Sequence, residues 1–358
     1  MRIAIVSDAW SPQVNGVVRT LQTTIGRLQQ RGHVVEAFTP DGFATRPCPG
    51  YPEIRLALGC GPELGRRIAA FRPDAIHIAT EGPLGWAARG WCRRQGARFT
   101  TSFHTNFADY LAMRTHLPAG LFWPFLRRFH AAASGVMTAT ARVAASLGDH
   151  GIGHTRRWSR GVDLSLFQPD GARLDVATLP RPILLHVGRI AIEKNIEAFL
   201  ALDTPGTKIL VGDGPAREDL ERRYPLAQFV GLKQGTALAA AYRAADVLVF
   251  PSRTDTFGLV MIEALACGTP VAGYPVPGPL DIVGLDGMGG GNARIGAVDD
   301  DLAAAVTLAL TADRDACVRA GTAYCWSHCT DQFVGNLVEA GLTLQEVQSQ
   351  SLSPSPRT

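Results

Sequence analysis

The segment from Asp246 to Tyr274, DVLVFPSRTDTFGLVMIEALACGTPVAGY, constrains the fold more than any other part of the chain. The apolar run 247–250 predicts a buried strand, and the apolar spacing that follows a polar loop predicts a helix from about Gly258 to Cys267. A second apolar run, Pro270–Tyr274, predicts another strand. A strand, a helix and a strand in immediate succession are typical of a parallel α/β sheet.

The same alternation extends along both halves of the chain. Strands are predicted at Arg2–Ser7, Val34–Thr39, Ala75–Ile78, Phe99–Phe103, Ile183–Val187, Thr207–Val211 and Gln228–Val230. Helices are predicted at Val17–Gln30, Pro62–Phe71, Leu84–Gln95, Ala141–Gly148, Ile196–Leu202, Ala237–Ala245, Asp299–Leu310, Asp313–Gly321 and Asp331–Gln348. We therefore predict an α/β protein with two Rossmann-like, doubly wound parallel-sheet domains that face each other across a cleft.

Proline content and periodicity set the predicted domain boundaries. Residues 1–168 form a first domain, and the proline-containing stretch 169–182 has no clear periodicity and is predicted to be a linker. Residues 183–325 form a second domain. A terminal helix at 326–348 is expected to pack back on the first domain, and 349–358 is expected to be a disordered tail.

Composition supports a globular protein with an uneven charge. A length of 358 residues suits two domains, and a content of 46% hydrophobic and 19% charged residues is typical of a globular protein. Residues 1–170 hold 20 Arg and Lys against 11 Asp and Glu, whereas the remainder holds 15 against 21. A basic first half favours an anionic partner there, such as a phosphate-bearing acceptor or a membrane surface, and an arginine-rich solvated surface is the alternative. We expect no nucleic-acid partner.

The N-terminus MRIAIVSDAW has the pattern of a strand and not of a signal peptide, and no run reaches the 18 apolar residues of a membrane span. We therefore expect a cytoplasmic protein with reduced thiols, with association at the inner face of the plasma membrane left open.

Chemistry-bearing residues follow four of the predicted strands, at the edge where parallel sheets bind ligands. Asn15-Gly16 precedes the first helix, and His104 follows a strand in SFHTNFADY. Arg189 and Lys194 follow the first strand of the second half and could converge on one diphosphate. Their alternative is two surface cations, one of them paired with Glu193. A structural role is the alternative for His104.

The fourth strand end carries two carboxylates, Asp255 and Glu263, beside a loop that enters a helix. The positive end of a helix dipole favours an anion, so two acids need another partner there. Sugar hydroxyls donate hydrogen bonds to carboxylates and fit that position. The chain contains no GxxxxGK[ST] loop, and its first half contains no GxGxxG, so a P-loop enzyme or an ordinary dehydrogenase is disfavoured. No residue cluster has metal-ligand spacing.

Three motifs in order, SRGVDLSLFQP (159–169), VGRIAIEKN (187–195) and SRTDTFGLVMIEALACGTPVAG (252–273), resemble those of retaining glycosyltransferases of the two-Rossmann GT-B type, family 4. The resemblance covers residues 1–340. SFHTNFADY and the segment 158–163 are most similar to the branch of lipid-directed α-mannosyltransferases and glycolipid synthases.

The resemblance implies a role for each matching position. Arg189 and Lys194 would hold the donor diphosphate, Asp255 the sugar hydroxyls and Glu263 the nucleotide ribose. Further donor contacts would come from backbone groups of Gly16, Phe257, Gly258 and Leu259. Acceptor or cleft contacts would come from Asn15, His104, Asn106 and Arg160, and His104 would lie near the reacting carbon.

The resemblance also implies that the acceptor attacks from the face of the departing diphosphate and that neither a cofactor nor a divalent metal is needed. Two positions depart from the family pattern. Asp255 stands where Glu is usual, and Asn15-Gly16 stands where Gly-Gly is usual. The shorter acid would move the sugar contact or signal a particular donor.

The acceptor and the donor are less constrained. The aromatic and basic segment 116–130, HLPAGLFWPFLRRFH, could rest on an anionic membrane, and an ordinary buried helix is the alternative. GDP-mannose is the favoured donor, with UDP-glucose or UDP-glucuronate next, and a lipid or glycolipid is the expected acceptor. A nucleotide-sugar 2-epimerase and a non-catalytic sugar-binding module are the remaining alternatives.

Overall fold

The computed structural model describes residues 1–13, 15–48, 51–104, 106–115 and 117–340. The predicted last turns of the terminal helix, 341–348, and the predicted tail, 349–358, lie outside the described residues. The chain divides into two compact units, one formed by Met1–Ser159 together with the chain from Ser327 onward, the other by Arg160–Trp326. This division falls at Ser159, whereas the sequence suggested a boundary at 168, because residues 160–168 have their contacts in the second unit.

The first unit alternates strands and helices along the chain. Its elements are β1 (Arg2–Val6), α1 (Gly16–Gln30), β2 (Val34–Phe38), β3 (Thr45–Cys48), β4 (Tyr51–Ala57), α2 (Gly61–Phe71), β5 (Ala75–Ile78), α3 (Pro83–Gln95), β6 (Thr100–Phe103), α4 (Phe107–Thr115), α5 (Trp123–His130), β7 (Gly135–Thr138), α6 (Ala141–Asp149) and β8 (Thr155–Arg157). Helix ends follow local chemistry: the Asn15 side chain caps α1, and α3 ends at Gly96 in the left-handed conformation.

A six-stranded parallel sheet forms the centre of the first unit, in the order β2-β1-β5-β6-β7-β8. The chain leaves β1 towards β2 on one side and returns to β5 on the other, so the order reverses between β1 and β5. Ligands of doubly wound sheets bind outside the carboxyl ends of the strands at such a reversal. Strands β3 and β4 form a separate antiparallel hairpin.

The second unit repeats this plan. Its elements are β9 (Ile183–Val187), α7 (Ile196–Leu200), β10 (Thr207–Val211), α8 (Arg217–Arg223), β11 (Gln228–Phe229), α9 (Gly235–Ala244), β12 (Val247–Phe250), α10 (Leu259–Ala266), β13 (Val271–Gly273), α11 (Pro277–Ile282), β14 (Gly296–Val298), α12 (Leu302–Ala309) and α13 (Arg314–Thr322). Its parallel sheet has the order β11-β10-β9-β12-β13-β14, so the reversal lies between β9 and β12.

The last described helix, α14 (Trp326–Glu339), returns to the first unit. Phe333 is fully buried and lies 5.0 Å from the His77 ring and 4.8 Å from the Trp158 ring. The Gln332 side chain accepts a hydrogen bond from the Ser159 backbone N–H at 2.8 Å. This helix therefore completes the core of a unit that begins some 300 residues earlier, as the Arg31–Asp331 ion pair also shows (sequence separation 300).

Candidate functional site

Hydrogen bonds join the loops that follow β9 and β12, at the reversal point of the second sheet. The Asn195 amide donates to the Pro251 carbonyl at 3.1 Å, and the Thr254 hydroxyl donates to the Glu193 carbonyl at 3.4 Å. Asn195 itself has φ 53°, a left-handed conformation that Asn tolerates better than most residues. These contacts fix the two loops against each other before any ligand binds.

The loops bring Lys194 and Asp255 into direct contact. The Lys194 ammonium donates to Asp255 Oδ1 at 2.5 Å, and their side chains are only 27% and 25% exposed. Burial alone would raise the pKa of Asp255. The charge and hydrogen bond of Lys194, with smaller contributions from the nearby Ser252 and His186, outweigh the effect of burial, so the pKa lies below the ordinary 3.8. Lys194 is thus paired with Asp255, a contact that the sequence did not predict.

His186 lies at the end of β9 beside this pair and was not among the predicted site residues. Burial, together with the Lys194 charge, lowers the pKa of His186 to about 4 against the opposing effects of the Val249 hydrogen bond and the Asp255 charge. Its Nδ1 lies 3.3 Å from the Val249 carbonyl, which can only accept, so Nδ1 carries the proton. The imidazole is therefore neutral at physiological pH and adds no charge to the site.

Arg189 lies in the same loop as Lys194 and is half-buried. Backbone hydrogen bonds hold the turn on either side of it: Gly188 N–H donates to the Val211 carbonyl at 3.0 Å and Ile190 N–H to the Asp213 carbonyl at 2.9 Å. The structure thus places both predicted cations in one anchored loop. Their convergence on one diphosphate stays a prediction.

The loop after β12 enters helix α10 through Gly258, whose φ of 91° disfavours any side chain. A Cβ there would lie 2.8 Å from both Met261 Cε and Phe250 Cζ. Phe257 before it is buried, with its ring edge-on to Tyr324 at 5.8 Å. The helix starts at Leu259, so its first backbone N–H groups lack partners within the helix and carry its positive dipole end. This start is a favourable place for an anion.

Glu263 lies in the second turn of α10 and is only 2% exposed. The Tyr242 hydroxyl of α9 donates to Glu263 Oε2 at 2.9 Å. Asp255 and Glu263 therefore occupy different surroundings: one in a loop against an ammonium, the other inside the helix packing against a phenol. The sequence placed both acids at the start of one helix without this distinction, and Tyr242 was not predicted.

The predicted residues of the first unit lie at the carboxyl edge of its own sheet. Asn15 Oδ1 accepts from the Val17 and Val18 N–H groups at 3.0 Å each, so this residue caps α1, and Gly16 is its exposed first residue. Asn15 therefore has a structural task whatever its role towards a ligand.

His104 and Asn106 follow β6 in the same unit. The His104 ring meets Trp158 edge-on at 5.5 Å, and the Asn106 amide donates to Asp109 Oδ2 at 2.6 Å, just inside α4. Arg160, predicted at the end of the first domain, instead opens the second unit and is only 5% exposed.

Asp8 occupies the reversal point of the first sheet and was not predicted. Its carboxylate accepts from Leu84 N–H at 2.8 Å, Gly85 N–H at 3.2 Å and the Thr80 hydroxyl at 3.0 Å. Burial, with a smaller contribution from the nearby Glu81, raises the pKa of Asp8 to about 6 despite these hydrogen bonds. A carboxylate directly after a predicted strand was the available sequence signal.

Among the described residues, no group of three or more His, Cys, Asp or Glu side chains could hold a metal ion. In the same part of the chain, no helix is long and apolar enough to cross a membrane.

Sequence comparisons identify the family. The family model described as Glycosyltransferase Family 4 matches residues 14–166, and that described as Glycosyl transferases group 1 matches residues 181–312. A GDP-mannose-dependent α-mannosyltransferase of Mycolicibacterium smegmatis is 33% identical over 79% of this chain and 82% of its own length. A sulfoquinovosyl transferase of Arabidopsis thaliana is 32% identical over 69% of this chain and 52% of its own length.

Solved structures show the same architecture. A sucrose-phosphate synthase from Thermosynechococcus elongatus matches with a TM-score of 0.73 and 25% identity, over 94% of this chain and 98% of its own. The Anabaena protein HepE, solved with UDP and glucose, matches with a TM-score of 0.69 and 17% identity, over 95% of this chain and 100% of its own.

Two parallel-sheet α/β units with these matches define the GT-B class of glycosyltransferases. Within that class the chain belongs to family 4, and it is similar to GDP-mannose-dependent α-mannosyltransferases.

Proposed function

We propose that this enzyme is a retaining hexosyltransferase that transfers mannose from GDP-mannose to a lipid or glycolipid acceptor. The observation that carries the proposal is the Lys194–Asp255 contact at the reversal point of the second sheet, where a cation for the diphosphate and an acid for sugar hydroxyls lie side by side. The α-mannosyltransferases at 33%, 31% and 29% identity support the donor. The alternative donor is UDP-glucose or UDP-glucuronate.

In this reaction the main contribution of the protein is to stabilise charge, and no covalent bond to the protein is required. The bond between the anomeric carbon and the diphosphate oxygen breaks, a bond to the acceptor oxygen forms on the same face, and the acceptor proton passes to the departing diphosphate. Arg189, Lys194 and the start of α10 oppose the growing negative charge, and electrostatic stabilisation of this kind is usually what lowers the barrier most. Asp255 holds the sugar hydroxyls, and its depressed pKa keeps it an acceptor.

The protein's own cations account for this stabilisation, so we propose that neither a divalent metal nor a cofactor is required. In the first unit we propose that His104 and Asn106 contact the acceptor and that Gly16 offers backbone to the diphosphate. For Arg160, which is 5% exposed, we propose a contact on the acceptor side as well.

A lipid acceptor calls for a surface that can meet a membrane. The segment 116–130 contains one: Leu117, Leu121 and Phe125 are 48%, 63% and 50% exposed, and the basic Arg127 and Arg128 are also exposed. Two other aromatic residues of the segment are not part of this exposed surface. Trp123 is only 7% exposed and stacks on His150 at 3.7 Å, and Phe129 is fully buried. We propose that the exposed face rests on anionic lipid.

The donor is tested by hydrolysis and transfer over a panel of GDP-mannose, UDP-glucose, UDP-glucuronate and GDP-glucose, with and without EDTA. Turnover of GDP-mannose that survives EDTA is expected. If the enzyme turned over UDP-glucose and not GDP-mannose, UDP-glucose would replace GDP-mannose as the proposed donor. No turnover of any nucleotide sugar would contradict the proposal as a whole.

The membrane surface is tested by vesicle sedimentation with a Leu121→Ser/Phe125→Ser/Arg127→Glu/Arg128→Glu variant. Binding to vesicles with anionic phospholipid should be lost, whereas donor hydrolysis should remain. The matched control is Leu226→Ser/Arg222→Glu, which removes a 90% exposed leucine and a surface arginine from the second unit. Equal binding by both variants would remove the membrane part of the proposal.

A further inference from the structure

Glu263 is a buried carboxylate with a hydrogen-bond donor of its own inside the protein. Its carboxylate is almost wholly buried in α10, and one of its oxygens, Oε2, accepts from the Tyr242 hydroxyl at 2.9 Å. The terminal torsion of a Glu side chain is broad and roughly two-fold, so an unrestrained carboxylate samples many orientations. A hydrogen bond to one oxygen from a fixed donor selects one of them.

Tyr242 is such a fixed donor. Its side chain is fully buried, and Phe167 packs edge-on against its ring at 5.9 Å. The Thr269 hydroxyl donates to the Tyr242 carbonyl at 2.7 Å and ties the end of α9 to the chain after α10. The phenol can therefore move little relative to Glu263.

We propose that Tyr242 is a positioning residue that orients the Glu263 carboxylate towards the ribose hydroxyls of the bound nucleotide. This inference rests on the proposed function and on the ribose role that the resemblance to family 4 implies for Glu263. A hydroxyl that holds Oε2 fixes the plane of the whole carboxylate, so the nucleotide does not have to order this group when it binds. Such preorganisation raises affinity by lowering the entropy cost of binding.

The test is Tyr242→Phe, which keeps the ring and its packing and removes only the hydroxyl. The enzyme is titrated by calorimetry with GDP and with 2′,3′-dideoxy-GDP, or with the uridine pair if the donor panel selects a UDP-sugar. The ribonucleotide should bind about ten-fold more weakly, because the variant must order the Glu263 side chain when the nucleotide binds, and ordering one side chain costs up to about that factor. The dideoxynucleotide should bind within two-fold of the wild type, because it does not use the carboxylate.

Tyr224→Phe is the matched control, since its hydroxyl also donates to a glutamate, Glu197 at 3.3 Å, but at the surface of the same unit. It should leave both affinities unchanged. An equal loss of both nucleotides in Tyr242→Phe would mark a merely structural role, and no loss of either would also overturn the inference.

The Glu263→Gln variant distinguishes failure of the positioning role of Tyr242 from failure of the ribose role of Glu263. If Glu263→Gln weakens the ribonucleotide selectively while Tyr242→Phe does not, the positioning role fails and the ribose role stands. If Glu263→Gln shows no selectivity, the ribose role itself fails. Binding of neither nucleotide by the wild-type protein would contradict the proposed donor site.

Discussion

Removal of the Lys194 ammonium tests the centre of the donor site. In the free enzyme this group contacts Asp255 at 2.5 Å from a loop that is held by the Asn195–Pro251 and Thr254–Glu193 hydrogen bonds. Its position is thus set before the diphosphate arrives. Lys194→Ala deletes the charge and leaves these backbone anchors in place.

The expected magnitude follows from the environment of the pair. Both side chains are about three-quarters buried, so the ammonium acts in a medium far less screening than water. Two unit charges 4 Å apart interact by about 4 kcal/mol at an effective dielectric constant of about 20. Loss of one preorganised stabilising donor typically costs about 10²–10³ in turnover, or about 2.7–4 kcal/mol, and we expect that loss in kcat/KM.

The same variant should change the pH profile. The pKa of Asp255 is depressed because Lys194 and its other partners outweigh burial. Without the charge and hydrogen bond of Lys194, the largest effect that opposes burial is lost, so the pKa of Asp255 rises. Residual activity of Lys194→Ala should therefore fall on the acid side at a higher pH than the activity of the wild type.

Steady-state transfer is measured from pH 4.5 to 8.5 with GDP-mannose and a glycolipid acceptor. Lys233→Ala, in the loop before α9 of the same unit, is the control and should behave as the wild type. If Lys194→Ala kept kcat/KM within about five-fold, the ammonium would not stabilise the leaving diphosphate, and the reasoning from its position would be refuted.

Three other changes have defined outcomes. Asp255→Glu should alter the preference among donor sugars at constant affinity for GDP, and a proportional loss of both would contradict the sugar contact. Gly258→Ala should lower the free energy of unfolding by about 2 kcal/mol, because it adds a methyl group at φ 91° against Met261 Cε. Gly26→Ala is the control and should cause no loss, because no atom lies within 4 Å of its added methyl group. Urea unfolding measures both. The pKa of Asp8 is raised from 3.8 to about 6, so the folded protein takes up a proton first and the free energy of unfolding should rise as pH falls below 6, by about 3 kcal/mol once pH reaches 3.8. Asp8→Asn should remove this rise. If urea unfolding of both proteins changed in parallel from pH 7.5 to 5, the prediction would be contradicted.

The elements around the site could be predicted because their signals are local. The strands Ala75–Ile78, Ile183–Val187 and Thr207–Val211 have the predicted bounds, and α10 is one residue shorter than predicted at each end. The hairpin β3–β4 was missed because its strands contain Pro47 and Pro52, which disfavour a strand assignment.

The contacts within the site could not be predicted in the same way. The sequence placed Lys194 and Asp255 at the correct sheet edge, but their contact depends on the left-handed turn at Asn195 and on hydrogen bonds between two loops. The Tyr242–Glu263 bond joins the last turn of α9 to the second turn of α10, and the relative rotation of these two helices is set by packing. Pairing of this kind is a property of the tertiary structure and leaves no local pattern.

The path of the chain through the first unit also constrains how the protein can be made. That unit contains residues 1–159, yet its buried Phe333 lies beside His77 and Trp158 and is synthesised after the whole of the second unit. During translation the second unit is therefore the first to have all of its sequence available. The first unit must wait with part of its core exposed, so the synthesis of α14, and not the completion of its own sheet, sets the moment at which it can close.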